Sequence, residues 1–379
     1  MNVTAEVREQ GGERRAPGPA GLDELLSHLL DQRGSDLHVK VGSAPHVRVD
    51  GHLQPTPFAA PAAAEVERMA YSILPAARAD EFETTHEADF ALSIHGIGRF
   101  RVNVYRQKGT VAIALRRVLP GIPSFSALGL PKVVQRLAGE PRGLVLVTGP
   151  TGSGKTTTVA SMIDHINETR AVNIVTIEDP IEVLHNDRRA LVSQREIGSD
   201  TEGFGEAMRR VLRQDPDVIF VGEMRDPETV WAVLSAAETG HLVFSTLHTA
   251  DTVETVNRII DFFPPYQHRQ IRLSLATSLR GVISQRLLER ADGKGRIPAV
   301  EVLINTGRVF DRIVDADLPG DSIEQIIEDG DYYGMKSFDQ SLFALYRDGL
   351  VSLREAVSVA SNPHDFRVAL QQAGLSTGF

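Results

Sequence analysis

The octapeptide Gly149-Pro150-Thr151-Gly152-Ser153-Gly154-Lys155-Thr156 constrains this chain more than any other feature. It follows the apolar run Leu144 to Val147 and opens a segment with helical periodicity, where Val159, Met162, Ile163 and Ile166 fall at i, i+3, i+4 and i+7. A strand, a glycine-rich turn and a helix N-terminus together make a phosphate cradle. Backbone N–H groups point inward, the helix dipole favours negative charge, and a lysine can reach the outer phosphates. Gly152 and Gly154 let the backbone approach the phosphates, because a side chain there would hold it away. Lys155 supplies the ammonium, and the Thr156 hydroxyl can face Mg²⁺. With Thr157 completing the first turn, the cradle is that of ATP or a close relative. The alternative, a flexible glycine loop without function, does not account for the full pattern in its strand–helix setting.

Composition sets outer limits. The chain has 379 residues and is 42% apolar, enough for two domains with cores of their own. No apolar stretch approaches the ~20 residues that span a bilayer, and Met1 to Arg15 is polar and charged, with no apolar signal core. There are no cysteines, which excludes disulfides, thiolate zinc sites and a cysteine nucleophile and fits a reducing cytoplasm. The net charge of −10 repels nucleic acid in bulk, so no nucleic-acid partner is expected.

Residues 1–20, with Gly11-Gly12, Pro17 and Pro19 among charges, read as a disordered tail. Residues 21–119 have a mixed α/β pattern. Leu22, Leu25, Leu26, Leu29 and Leu30 form a helix stripe, and Asp36–Val39 and His46–Val49 look like short strands, the second ending in an Asp50-Gly51 turn signal. Helical stretches follow around Glu65–Leu74 and Ala76–Glu83. An antiparallel set is then expected over Ala88–Ile94, Arg99–Arg106 and Val111–Val118. Leu119-Pro120-Gly121-Ile122-Pro123 is a turn-prone joint, placing a hinge at about 119–124 and a second domain over 120–379. There, the apolar strands Leu144–Thr148, Asn173–Ile177, Val218–Val221 and Leu242–Thr246 alternate with helical patterns, the signature of a buried, largely parallel sheet. From about Arg308 the pattern turns mainly helical, with Leu342, Leu345 and Tyr346 in one helix that Gly349 can end.

In a parallel sheet, residues just past the C-terminal strand ends face the ligand crevice. Glu178 and Asp179 follow one such strand, and Gly222-Glu223 another. We assign Glu223 to activating the attacking water, and leave the metal to Thr156 and to waters held by Glu178 and Glu223. Helix capping is the competing reading for these carboxylates, and it suits Asp226, which precedes Pro227, best. His241 and His248 bracket the strand Leu242–Thr246 and are candidates for coupling phosphate state to backbone position, although lone histidines are commonly fillers. Arg209 and Arg213 are expected to share a helical face ahead of Asp215-Pro216-Asp217. Arg101 and Arg116 fall on adjacent expected strands of the first domain. An arginine brought to the γ-phosphate can be worth ~10³–10⁵ in rate, but spacing alone does not separate these four from ordinary surface arginines.

Four segments in order carry a family resemblance. They are Gly149–Thr156; Thr176-Ile177-Glu178-Asp179-Pro180-Ile181-Glu182; Asp215-Pro216-Asp217 to Gly222-Glu223-Met224-Arg225-Asp226; and Thr239-Gly240-His241 to Thr246-Leu247-His248-Thr249. They resemble the Walker A, Asp box, Walker B and His box of the type II/IV secretion ATPase superfamily, and within it the retraction ATPases of type IV pili. The resemblance runs from about Leu22 to the C-terminal region. It implies a PAS-like α+β N-terminal domain, a RecA-like P-loop ATPase domain with a helical C-terminal region, and a hexameric ring. It also implies ATP and Mg²⁺ as ligands, a cytoplasmic location at the inner-membrane pilus machinery, and a pilus-base platform protein as partner, with a paralogous pilus ATPase as a further candidate. Arg101 and Arg116 match family positions that reach nucleotide from the N-terminal domain, and Arg209 and Arg213 the arginines ahead of Walker B. Glu223 matches the catalytic glutamate, Glu178 the Asp-box carboxylate, and His241 and His248 the His-box pair. The absence of cysteine sets the chain apart from relatives with a tetracysteine zinc module and favours the retraction branch. Thr306-Gly307-Arg308-Val309-Phe310-Asp311-Arg312-Ile313 departs from that branch's usual Ala-Ile-Arg-Asn-Leu-Ile-Arg run, while Gly334-Met335-Lys336-Ser337-Phe338-Asp339-Gln340 keeps a family-like pattern. A pilus-assembly or type II secretion ATPase, an accessory to a paralogue, a nucleotide-gated scaffold and a nucleic-acid-handling ring remain the competing readings.

Overall fold

The alternation of Leu144 and Leu146 with Val145 and Val147 decides the architecture of the larger half. In a strand, successive side chains leave on opposite faces, so four apolar residues in a row need cover on both sides. A computed structural model describes residues 20–49, 51–118 and 121–375. The expected tail of residues 1–20 lies outside the described residues except for Ala20, as do Asp50 of the turn signal and Leu119 and Pro120 of the joint. The chain divides into two compact units, Met1–Pro120 and Gly121–Phe379.

Strands are numbered β1 (Asp36–Lys40), β2 (His46–Val49), β3 (His52–Pro55), β4 (Glu87–Ile94), β5 (Gly98–Gln107), β6 (Thr110–Arg117), β7 (Gly143–Thr148), β8 (Asn173–Glu178), β9 (Leu191–Glu196), β10 (Val218–Val221), β11 (Leu242–Leu247), β12 (Leu279–Glu289) and β13 (Arg296–Ile304). In the first unit, one six-stranded antiparallel sheet has the order β3-β2-β1-β6-β5-β4. The helices Leu22–Asp31, Ala63–Ile73 and Ala76–Thr85 close one core with it. Leu25, Leu26 and Leu29 pack there with Leu37, Val39, Phe100, Val102, Val104, Ile113 and Leu115. The residues between these along the strands, including Asp36, Arg101 and Arg116, stand on the opposite sheet face.

The second unit is a seven-stranded sheet of order β13-β12-β7-β11-β10-β8-β9. The pairs from β12 through β9 are parallel, and only the β12–β13 hairpin is antiparallel. One face buries Leu144 and Leu146 against helices Phe204–Val211, Pro227–Glu238 and His268–Ser278. The other buries Val145 and Val147 against Val159, Met162, Ile163 and Ile166 of helix Lys155–Thr169. This is a RecA-like α/β layering. The sequence did not signal β3, β9, β12 or β13.

A satellite core under the C-terminal helices joins Phe338, Leu342, Val351, Leu353 and Phe366 to Leu288 and Ile297 of the hairpin. The departing run at Thr306–Ile313 forms helix Gly307–Val314, with Val309 and Ile313 buried. Its arginines tie down the following loop: Arg312 donates to the carbonyls of Asp321 at 3.1 Å and Ala316 at 3.2 Å, and Arg308 pairs with the Asp321 carboxylate. Among the described residues no helix is long and apolar enough to cross a membrane.

Candidate functional site

The C-terminal ends of β7, β8, β10 and β11 all open on one crevice, because the four strands run parallel. At the end of β7 the chain turns through Gly149 (φ 140°), Gly152 (φ 79°) and Gly154 (φ 91°) before helix Lys155–Thr169 starts. Gly149 is needed twice over. Its φ is one that other residues rarely adopt, and a Cβ there would lie 2.3 Å from the Gln285 carbonyl oxygen. No side chain caps this helix, so its first N–H groups are left to an external acceptor, and the Ser153 hydroxyl is buried without a partner. Uncapped donors and an orphaned hydroxyl around a glycine turn fit a phosphate.

Lys155 is buried, and its ammonium folds back on its own loop. Nζ donates to the carbonyls of Gly149 at 2.7 Å and Pro150 at 3.1 Å, and lies 3.3 Å from Nδ1 of His248. Burial pulls its pKa down, while the charges of Glu223 and Glu182 oppose that pull. An ammonium has only donors, so His248 Nδ1 must accept and the ring proton sits on Nε2. His248 Nε2 lies 3.3 Å from Glu223 Oε1. Lys155, His248 and Glu223 therefore form one chain of polar contacts across the crevice.

Glu223 is set by the strand ends beneath it. The Gly222 N–H donates to the Ile177 carbonyl at 2.8 Å, and the Thr246 hydroxyl donates to the Gly222 carbonyl at 2.6 Å. A Cβ on Gly222 would sit 3.2 Å from the Ile177 carbonyl oxygen and 3.4 Å from Glu178 Cα, so glycine lets the two acidic ends lie together. Arg225 donates to Glu223 from Nε at 2.9 Å and pairs with it through Nη2 at 2.8 Å, and the Glu223 side chain is 19% exposed. Helix capping falls to Asp226, which accepts from the Thr229 N–H at 2.8 Å, and not to Glu223.

Glu178 is buried, and that burial pushes its pKa up. The Thr176 hydroxyl at 2.6 Å and the Gln194 amide at 3.0 Å resist the shift. Together these groups line a cleft of about 450 Å³ bounded by Thr151, Gly152, Gly154, Lys155, Thr156, Thr157, Glu178, Asp179, Glu182, Glu223, Arg225, Thr246 and His248. Its far wall is Leu287 and Arg296, from the β12–β13 hairpin. Leu287 and Arg296, which line the cleft, and Gln194 and Gln285, which pack beside it, carried no sequence signal. They come from β9, β12 and β13, strands distant in sequence from the glycine loop, and only sheet pairing brings them to the site.

The remaining expected residues lie elsewhere. His241 stands before β11 at its N-terminal end, where Nδ1 faces the Ala236 carbonyl at 3.0 Å. Six residues at about 3.3 Å each separate it from His248, so the two histidines stand at opposite ends of β11. Arg209 and Arg213 do not share a helical face. Helix Phe204–Val211 holds Arg209, which pairs with Glu206 and Glu228, while Arg213 lies beyond the helix end. The chain turns there through Asp215 (φ 53°) so that the Asp217 carboxylate can accept from the Asn173 N–H at 2.8 Å and start β10 in register. Arg101 and Arg116 are directly opposed on β5 and β6 of the first unit.

The site fits what the chain resembles. The family described as type II/IV secretion system protein matches residues 13–317. The protein is 41% identical over 348 residues to the type IV pilus retractation ATPase PilT of Pseudomonas aeruginosa, across 91% of this chain and 99% of that one. It is 36% identical to the type IV pilus ATPase PilU of the same organism, across 92% and 91%. Among solved structures, the pilus retraction motor PilT with bound ADP superposes with a TM-score of 0.82 at 42% identity, covering 91% of this chain and 98% of that one. The Legionella pneumophila ATPase DotB superposes at 0.73 and 27% identity, covering 91% and 97%. With the matched region spanning both units and the glycine loop, Glu178 and Glu223 on one crevice, the chain belongs to the type II/IV secretion system protein family.

Proposed function

We propose that this protein is an ATP-hydrolysing motor that drives retraction of a type IV pilus, and so twitching motility. The observation that carries the reading is the joint placement of an uncapped phosphate loop, Lys155 and the Glu223 carboxylate around one cleft. Close similarity to a retraction ATPase and to a retraction motor solved with ADP supports the nucleotide and the direction of work.

In this reading the loop N–H groups and Lys155 bind the β- and γ-phosphates, which displace the Gly149 and Pro150 carbonyls from Nζ. Glu223 accepts the proton of the attacking water, and His248 and Arg225 hold its carboxylate in place. Mg²⁺ would be held by the Thr156 hydroxyl and, through water, by Glu178 and Glu223, and it supplies neutralisation of phosphate charge. Thr156, Glu178 and Glu223 all line the cleft, which suits that role.

We further infer a homo-hexamer in which Arg101 and Arg116 close on nucleotide about a hinge near residues 119–124, while Arg209, Arg213 and His241 act away from the cleft. The family resemblance supports this arrangement, along with the inner-membrane platform partner and a paralogous ATPase. The test is a surface-pilus count in cells carrying Glu223→Gln as their only copy. Excess pili with loss of surface motility are expected. Bald cells would place this chain on the assembly side instead.

A further inference from the structure

One row of side chains on the first unit's sheet carries three arginines and a single carboxylate. Arg101 on β5 is opposed to Arg116 on β6, Arg116 to Asp36 on β1, and Asp36 to Arg48 on β2. Directly opposed residues share a sheet face, so the four stand side by side away from the helical core. Asp36 is buried although it lies on this face. Its Oδ1 accepts from Arg116 Nε at 2.8 Å, and its Oδ2 accepts from the Ser35 hydroxyl at 2.7 Å.

Arg48 is already occupied. It lies 3.8 Å from Asp36 but donates through Nη1 to the Gly51 carbonyl at 2.8 Å, closing the turn between β2 and β3. Arg116 differs, because among the described residues its contact is through Nε, to Asp36, and its side chain is 66% exposed. A guanidinium gripped at Nε turns its two terminal nitrogens outward as a rigid fork, the geometry that recognises a phosphate or carboxylate with paired hydrogen bonds.

We propose that Asp36 is a positioning residue that grips Arg116 at Nε and aims its terminal nitrogens at an anionic phosphate. The inference rests on the reading that Arg116 serves the bound nucleotide, and it names what makes that arginine competent. Asp36 stays ionised for the task. Burial favours its neutral form, but the Ser35 hydroxyl and Arg116 outweigh that and hold its pKa below the usual value.

The experiment is a double-mutant cycle in the full chain, reading steady-state kcat and KM for ATP and the affinity for a fluorescent ATP analogue. Asp36→Ala should lower kcat about 10- to 100-fold, as expected when a catalytic contact is displaced by about an ångström, with nucleotide affinity within about twofold of wild type. Asp36→Asn keeps an acceptor oxygen for Nε and should recover most of that turnover. It also controls for folding, since it preserves volume at the buried position. In an Arg116→Ala background, Asp36→Ala should lower kcat no further. If Asp36→Ala costs as much without Arg116 as with it, the role is structural and the proposal is overturned. Full turnover in Asp36→Ala, where Arg116→Ala alone is slow, overturns the positioning role while leaving Arg116's role intact. An unchanged kcat in Arg116→Ala would remove the underlying reading and the proposal with it.

Discussion

His248 Nε2 lies 3.3 Å from Glu223 Oε1 while its Nδ1 lies 3.3 Å from Lys155 Nζ, so one imidazole joins the phosphate-binding cation to the candidate base. Each contact alone is long and worth little. Together they fix the ring's tautomer and orient the Glu223 carboxylate before any substrate arrives. Replacing His248 by Ala should lower kcat by about 10- to 100-fold and change nucleotide affinity much less, because a carboxylate misplaced by about an ångström loses rate before binding. A rise in KM with kcat unchanged would mean that His248 serves binding alone.

Gly149→Ala should damage both stability and binding. Its Cβ would lie 2.3 Å from the Gln285 carbonyl oxygen and 2.6 Å from the Ser153 hydroxyl, at a φ of 140°. Strain of this kind costs roughly 1–3 kcal/mol. The neighbour here is backbone of β12, which cannot move aside without shifting the cleft wall. A lowered melting temperature with loss of nucleotide affinity is expected, and an unperturbed variant would contradict the loop geometry.

His185, in the segment that follows the Asp-box strand, gives a pH signature. Burial, reinforced by Arg188, drops its pKa to about 4. A histidine with a depressed folded pKa contributes stability above its unfolded value, near 6.5, and loses that contribution as pH falls toward the folded value. Between pH 6.5 and 4 the protein should lose about 3 kcal/mol that a His185→Gln variant keeps. Denaturant melts of both proteins across that range check it, and parallel pH profiles would contradict the burial of a neutral ring.

Much of the site was legible because its chemistry is local. The glycine loop, the apolar runs of β7, β8, β10 and β11, and the acidic residues closing two of them follow from a few residues each. A parallel sheet then puts those closing residues on one rim. What escaped depends on distant pairing. β9 begins with Leu191, 57% exposed at the sheet edge, and continues Val-Ser-Gln-Arg-Glu, which has no strong strand signal. Yet it delivers Gln194 to Glu178. β12 mixes Arg280, Arg286 and Gln285 into apolar residues, because Arg280 and Arg286 reach backbone carbonyls outside the strand. Leu287 and Arg296 reach the cleft only through that hairpin. The spacing of the arginines before β10 misled for a related reason: helix Phe204–Val211 stops before Arg213 so that Asp217 can start the strand. His241 could have been placed by strand direction alone, since a residue at the N-terminal end of a parallel strand faces away from the crevice.

The mechanism turns on Glu223 as the group that activates water at a nucleotide held by Lys155. The measurement that meets this most directly is ATP affinity and single-turnover hydrolysis of Glu223→Gln beside wild type. The amide keeps the size and most hydrogen bonds of the carboxylate but cannot accept a proton. Affinity should stay within a few fold, while hydrolysis falls by ~10²–10⁴. Hydrolysis at the wild-type rate would contradict the assignment of Glu223 and with it the central mechanism.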